Sequence, residues 1–465
     1  MEHSDTAIKA ARTGNAANVS ARLDRLPVMV PHIVWISLLT ANLALEYYDN
    51  ALFAYIVPAI AESTGLGLGQ IGTVSTAFFV GMILGALVGG RLSDRFGRRW
   101  IIVWGTVVYS LGALATAFSP NFELMLVSRV ITGIGVQAAA SALLVYIAEM
   151  FPSKTRGRFV SVVTTAFVII SPVVALLAFV AIPHGGPDTW RHLFAVGGVG
   201  LLIAPLVRFF MPESVRWYTS RGQIDKGEEI TEKLEARALR RGPLSESQAV
   251  PEGAQELTLR QLIKNKRIIR TIAVIAVGFF GTTLGLYLFQ NWALYVLFDS
   301  LKYSETKAYW VQLIWNLVYV FTPIIALLIM DRIERKTLIL ISSLITAVPL
   351  VVFGISSTNW VVIASGGLAG ILTGLVITVF FAYIPEAIPT EARGLGSGII
   401  NGMGQVGGAV SGVLGAAIYG GWGRGSLMAV AAAAYVVFAI AVLYGPRTTN
   451  RSLEGVAAEE LSTAK

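Results

Sequence analysis

The chain has no cysteine among its 465 residues. That excludes disulfide frameworks, thiolate metal sites and cysteine nucleophiles. Histidine is nearly as scarce. His3, His32, His184 and His192 are the full set, and no two of them stand at a metal-ligand spacing on one helix. No metal and no cofactor is therefore expected, and proton chemistry has to rest mainly on carboxylates. Charge is sparse too: Asp, Glu, Lys and Arg make up 14% of the chain, against roughly a quarter in soluble domains. A soluble multidomain enzyme does not fit these absences. The opening residues "MEHSDTAIKAARTGNAANVSARLDRLP" also lack an apolar core, so no cleaved signal peptide is expected there.

What fills the sequence is apolar. Hydrophobic residues reach 55% and glycines number 47, and the mean hydropathy is +0.67. Twelve segments are long enough to cross a ~30 Å hydrocarbon core, the first at 32–59 and the last at 425–444. The expected fold is an all-α membrane protein of twelve transmembrane helices. Its basic residues set the orientation. With both termini inside, the outer side receives only Arg191, Lys302, Lys307 and Arg424 of the 36 Lys and Arg, which fits the positive-inside bias. That bias also accounts for a pI near 9.6 without nucleic acid as a partner. The bilayer takes that place.

Charge gathers in one short stretch, "GGRLSDRFGRRW", between two uncharged runs. Such a stretch reads as a loop at a membrane surface. It also recurs. Asp94-Arg95-Phe96-Gly97-Arg98-Arg99 is echoed by Asp331-Arg332-Ile333-Glu334-Arg335-Lys336, and "EMFPSKTRG" from Glu149 by "EAIPTEARG" from Glu386. Both echoes stand 237 residues after the first copy. The chain is thus two homologous six-helix halves, a parallel repeat about the membrane normal. The divisions expected are a cytoplasmic N-terminal segment (1–31), an N-terminal bundle (32–211), a cytoplasmic loop (212–267), a C-terminal bundle (268–445) and a cytoplasmic tail (446–465). Within the loop, 223–241 is expected to be helical and "RGPLSESQAVPEGAQ" to be a linker.

Glycines add a pattern. Gly81, Gly85 and Gly89 recur every fourth residue in the second span, as do Gly404, Gly408 and Gly412 in the eleventh. Each set lies on one face and permits close helix approach. Ionisable residues inside spans are costly and so are functional candidates by default. Three stand out: Glu46 and Asp49, three apart in "LEYYDN", and Arg129.

On "GRLSDRFGRR", "SRVITGIGVQ", "AEMFPSKTRGR", "PESVRWY" and "YIPEAIPTEARGLG", the chain resembles the major facilitator superfamily from about Arg22 to Tyr444. The resemblance lies with the sugar porters, the aromatic acid:proton symporters and the prokaryotic relatives of the synaptic-vesicle glycoproteins. It implies two pseudo-symmetric six-helix bundles around a cavity that opens to alternate sides, functioning as a monomer. It further implies that Asp49 is the proton site and Arg129 its partner, with Glu46 able to hold the role instead. Such a fold also sets the second and eleventh helices against each other, with their two glycine sets face to face, and makes Asp94 a neighbour of the start of the eleventh helix, where a carboxylate meets free backbone N–H groups. A cytoplasmic gate is expected from Gly90, Asp94, Gly97, Arg98, Arg99, Glu149, Arg156, Asp331, Arg335, Glu386 and Arg393. The same fold directs Tyr48, Gln137, Gln290, Asn291, Trp315, Asn316, Tyr383, Asn401 and Gln405 to the cavity as substrate contacts.

The substrate class follows from departures. Helix seven reads "GTTLGLYLFQNWALY" and lacks the glutamine pair usual in sugar porters, and helix five has Thr164 near another expected glutamine. "RLDRLPV" and "EYYD" look more like the aromatic-acid group. The preferred reading is proton symport of a small carboxylate or aromatic acid. A sugar or polyol symporter or facilitator is the alternative, and a proton-coupled efflux antiporter comes next. A transport-dead sensor is disfavoured by the short tail after Tyr444, and a membrane enzyme by the missing nucleophile patterns.

Overall fold

The computed structural model describes residue 19 and residues 21–186, 188–244, 265–330, 332–389 and 392–446; the side chains of Lys154, Phe167 and Arg393 lie outside that description. Among the described residues there is no strand. Apolar runs become helices because only a helix satisfies every backbone polar group within one membrane-crossing segment.

The spans are α1 (Val30–Thr64), α2 (Leu68–Phe96), α3 (Arg98–Ala117), α4 (Phe122–Met150) and α5 (Ser153–Ala181), then α6 (Thr189–Phe210). The second half holds α7 (Lys266–Asp299), α8 (Glu305–Met330), α9 (Arg335–Ile355) and α10 (Asn359–Ala387). The last helical stretch, Arg393–Leu443, is interrupted at Gly423, whose φ of 74° and ψ of −173° are not helical. It is therefore two spans, α11 (393–422) and α12 (424–443), which completes twelve. In α1 the polar residues 46–50 interrupt the apolar run. α6 passes through a 3-10 turn at Val196–Val199.

Between the halves, Val215–Ser220 and Ile224–Leu239 form two surface helices, the second matching the helix expected at 223–241. Together with the Gly97 turn and both described ends of the chain they mark one face of the molecule, the basic face. The largest contacts between the halves are α2 with α11, α5 with α8, and α1 with α7.

The glycine stripes depart from expectation. A Cβ on Gly81, Gly85 or Gly89 would run into Val130, Ile134 or Ala138 of α4, within the same half. Gly404 faces Phe279 of α7, while Gly408 faces Phe79 and Gly412 faces Gly72, both on α2. The crossing of α2 with α11 thus uses Gly72, Gly408 and Gly412. Gly81, Gly85 and Gly89 serve packing of α2 on α4.

Candidate functional site

The deepest charges in the molecule pair with each other. Arg129 Nη1 of α4 lies 2.6 Å from Asp49 Oδ2 of α1, and each side chain is 1% exposed. The guanidinium is ringed by Phe78, Phe53 and Phe194, with centroid distances of 4.3, 5.4 and 5.3 Å. Such rings favour a cation over their faces. The pair therefore sits inside the N-terminal bundle, walled by aromatic side chains. Glu46, one turn away on α1, is also buried, and neither of its oxygens has a hydrogen-bond partner among the described residues. Asn42 Oδ1 is likewise buried without a partner among the described residues. Gly197 and Gly200 let α6 pass close by, since a Cβ on Gly200 would crowd both Ser110 Oγ and Tyr109 Oη.

Above this layer the two halves are sealed. The Tyr55 hydroxyl donates to Asn316 Oδ1 at 2.8 Å, and Ser171 Oγ donates to the same oxygen at 2.6 Å. The Tyr309 hydroxyl donates to Tyr55 O at 2.9 Å. Nearby, Thr76 Oγ1 donates to Ala409 O at 2.6 Å, Asn291 Nδ2 to Ser75 Oγ at 3.4 Å, and the Phe79 ring packs on Tyr287. Gln405 Nε2 donates to Gln137 Oε1 at 3.4 Å. No hydrogen bond or ion pair joins described residues of the two halves at the basic face. Among the described residues, the hydrogen bonds that join the halves lie on the far face and in the polar layer beneath it.

Half-buried polar groups collect where the closure begins. Gln137, Gln290, Asn291 and Gln405 are there. Tyr47, Asn50, Tyr287 and Tyr319 join them, and sequence reasoning did not single these out. Tyr47 reaches Gln290, and Tyr287 reaches Asn50. The only available signal for Tyr47 was its place beside Tyr48 in "EYYD". Asn316 belongs to the far-face seal, and Asn401 is exposed with its amide bonded to Ser397 O of its own helix. The remaining three sit elsewhere. Tyr48 is buried and donates to Leu193 O, Trp315 donates to Ile363 O, and Tyr383 donates to Pro446 O at the end of the second bundle. Each of these polar atoms is bonded within its own half.

At the basic face the repeat is visible in three dimensions. Arg98 pairs with Glu149 at 2.9 Å, and Arg335 pairs with Glu386 at 3.1 Å, each residue displaced by the same offset. Asp94 is 75% exposed and meets Arg98 at 3.0 Å. Gly90 has open space beside it. Gly97 has φ 107°, and a Cβ there would overlap the Glu213 carboxylate. That carboxylate accepts from Arg99 N at 3.0 Å and Ser214 N at 2.9 Å, so it caps α3, whose N-terminus favours negative charge. Burial pushes the Glu213 carboxyl up from its usual value, against those backbone bonds. In the second half Glu334 stands where Gly97 stands in the first, and its own carboxylate accepts from Thr337 N at 2.9 Å to cap α9. One helix start borrows its cap from afar, and the other carries it.

Ser214 donates to Glu149, and Arg99 donates to Met211 O at 3.1 Å. Trp217 and Arg221 both donate to Asp94 O. Arg156 meets Asp24 at 3.0 Å, and Arg216 meets the other oxygen of Asp24 at 2.8 Å. Asp331 and the Arg393 side chain lie outside the described residues. Among the described residues no cluster fit for a metal occurs.

The comparisons agree with this architecture. The chain is 30% identical over 405 residues to YyaJ of Bacillus subtilis (strain 168), covering 86% of this chain and 89% of that protein. It is 26% identical over 390 residues to the niacin transporter NiaP of Acinetobacter baylyi (strain ATCC 33305 / BD413 / ADP1), covering 83% and 87%. Its fold is similar to the inward open conformation of the xylose transporter XylE from E. coli, with a TM-score of 0.71, 19% identity, and coverage of 91% and 98%. The model for the sugar (and other) transporter family matches residues 45–459. With twelve helices in two bundles, the chain belongs to this family of the major facilitator superfamily, as a multi-pass membrane transporter and not an enzyme.

Proposed function

We propose that the protein moves a small organic solute, a carboxylate or aromatic acid, across the cell membrane together with protons by alternating access. The observation that carries this reading is the Asp49/Arg129 pair with Glu46 one turn away, all buried beside the polar layer where the halves close. Ionisable groups held at that depth are characteristic of proton relays. Gln137, Gln290, Asn291 and Gln405, with Tyr47 and Tyr287, are the proposed substrate contacts. Phenol rings and amides suit a flat, polar solute, and the similarity to a niacin transporter supports the aromatic-acid class. The basic face is proposed to be cytoplasmic, with both termini inside, the segment boundaries as expected above, and the monomer as the working unit. The ion-paired ends at Arg98 and Arg335 are the proposed cytoplasmic gate, with Asp94 engaging the start of α11 when that side closes.

A sugar is the second reading. It is favoured by one observation: Arg129, the buried cation of the first bundle among the described residues, is already held by Asp49. Purified protein in liposomes, loaded with a pH gradient and offered nicotinate, 4-hydroxybenzoate or D-xylose, tests the choice. Uphill accumulation of either acid that collapses with the gradient is expected. Accumulation of xylose alone would replace the acid reading with the sugar one.

A further inference from the structure

We propose that the carboxylate of the solute is held by the phenol hydroxyls of Tyr47 and Tyr287, one from each half. The proposal rests on the acid reading above and names the groups that recognise the acid. A carboxylate brought into the polar layer needs donors, because an unmet charge at that depth is costly. The helices of the second half carry no Lys or Arg away from the ends of their spans. In the first half Arg129 is held by Asp49 at 2.6 Å in this conformation, and its side chain is 1% exposed. Neutral donors are left, the phenols and amides of the layer. An O–H donor makes a shorter bond to a carboxylate than an N–H donor does, so the phenols are the better partners.

Two phenol–amide pairs cross between the halves in this layer. On α1, Tyr47 and Asn50 stand three residues apart, and on α7, Tyr287 and Gln290 do the same, so each couple shares one face of its helix. Tyr47 is hydrogen-bonded to Gln290, and Tyr287 to Asn50. Both helices begin at the basic face. The phenol of each couple therefore stands nearer that face, and the amide nearer the far-face seal. Tyr47 and Tyr287 are neighbours across the interface, and both are half-buried. The Phe79 ring of α2 packs edge-on against Tyr287, with centroids 4.6 Å apart, and braces it. Two hydroxyls from facing helices match the two oxygens of one carboxylate. Each now bonds a neutral amide, and a charged acceptor makes the stronger bond. A solute held this way touches both halves through a single group.

Tyr47→Phe and Tyr287→Phe keep the rings and remove the donors, so both variants should fold, which thermal unfolding checks. With the purified full chain in liposomes, exchange of nicotinate or 4-hydroxybenzoate between filled compartments should show a half-saturation raised about tenfold in each, as expected for the loss of one hydrogen bond to a charged group. Asn50→Ala removes the same tie between the halves as Tyr287→Phe but leaves the hydroxyl, so its half-saturation should lie at or below that of the parent. A rise in Asn50→Ala as large as in Tyr287→Phe makes the pair a tie and not a carboxylate site, and overturns the assignment. A parent-like half-saturation in either Phe variant overturns it as well, while leaving the acid reading in place. A parent that exchanges D-xylose but neither acid overturns the acid reading and the carboxylate site with it.

Discussion

The Tyr55 hydroxyl of α1 donates to Asn316 Oδ1 of α8 at 2.8 Å, fully buried, and so joins the two halves on the far face. Tyr55→Phe removes that bond and keeps the ring. One such bond contributes about 0.5–1.5 kcal/mol net, which corresponds to a roughly two- to tenfold shift away from this closure. A cysteine placed at Asn401, the first in the chain, should react more slowly with an impermeant maleimide from the basic face. An unchanged rate would show that Tyr55 does not hold the closure.

The two glycine sets should behave differently. Gly85→Ala drives a Cβ into the Ile134 backbone, which cannot turn aside. Overpacking of this kind costs about 1–3 kcal/mol, so the N-terminal bundle should lose thermal stability. Gly408→Ala meets the Phe79 ring across the halves. Its expected effect is on the balance of open states, read by the same cysteine labelling, with less change in unfolding temperature.

Asp94 is exposed and paired within its own half. Asp94→Asn should therefore leave the unfolding temperature of this conformation unchanged. If Asp94 engages α11 when the basic face closes, exchange of nicotinate between filled compartments should slow several-fold while its half-saturation stays constant. A parent-like rate at normal protein levels removes the gate role.

The N-terminal segment is pinned by acids. Arg22 and Arg25 meet Glu235 at 2.5 and 2.6 Å. Burial acts to raise the Glu235 carboxyl, but the two arginine bonds outweigh it and hold it below the usual carboxylate value. The folded form therefore binds a proton less readily than the unfolded one. This contribution is present above the ordinary glutamate range and is lost as pH falls through the lowered value. Acid should free the segment, seen as faster labelling of Leu26→Cys. Glu235→Gln should label fast at every pH.

Much of this was readable in advance. Span length and charge gave the twelve helices, and the repeated offset gave the two homologous halves. Buried charge is so costly that Asp49 and Arg129 announced themselves. The neighbours of the glycines were not readable, because spacing shows a face that allows close approach and not which helix takes it. The far-face seal was hidden for a related reason. Tyr55, Ser171 and Asn316 are ordinary residues whose meeting depends on how two bundles lean together. Glu213 stood in "PESVRWY" only as a marker, and its capping of α3 needed the fold to bring it beneath Gly97.

The seal has a consequence for energy balance. The halves are held by a handful of neutral hydrogen bonds, each about 0.5–1.5 kcal/mol net. Their sum is on the order of the ~5.5 kcal/mol that inverts a 1:99 population. A solute shifts that balance only by the difference in its affinity for the two facing states, so a preference for one state, and not tight binding as such, is what moves a carrier built this way.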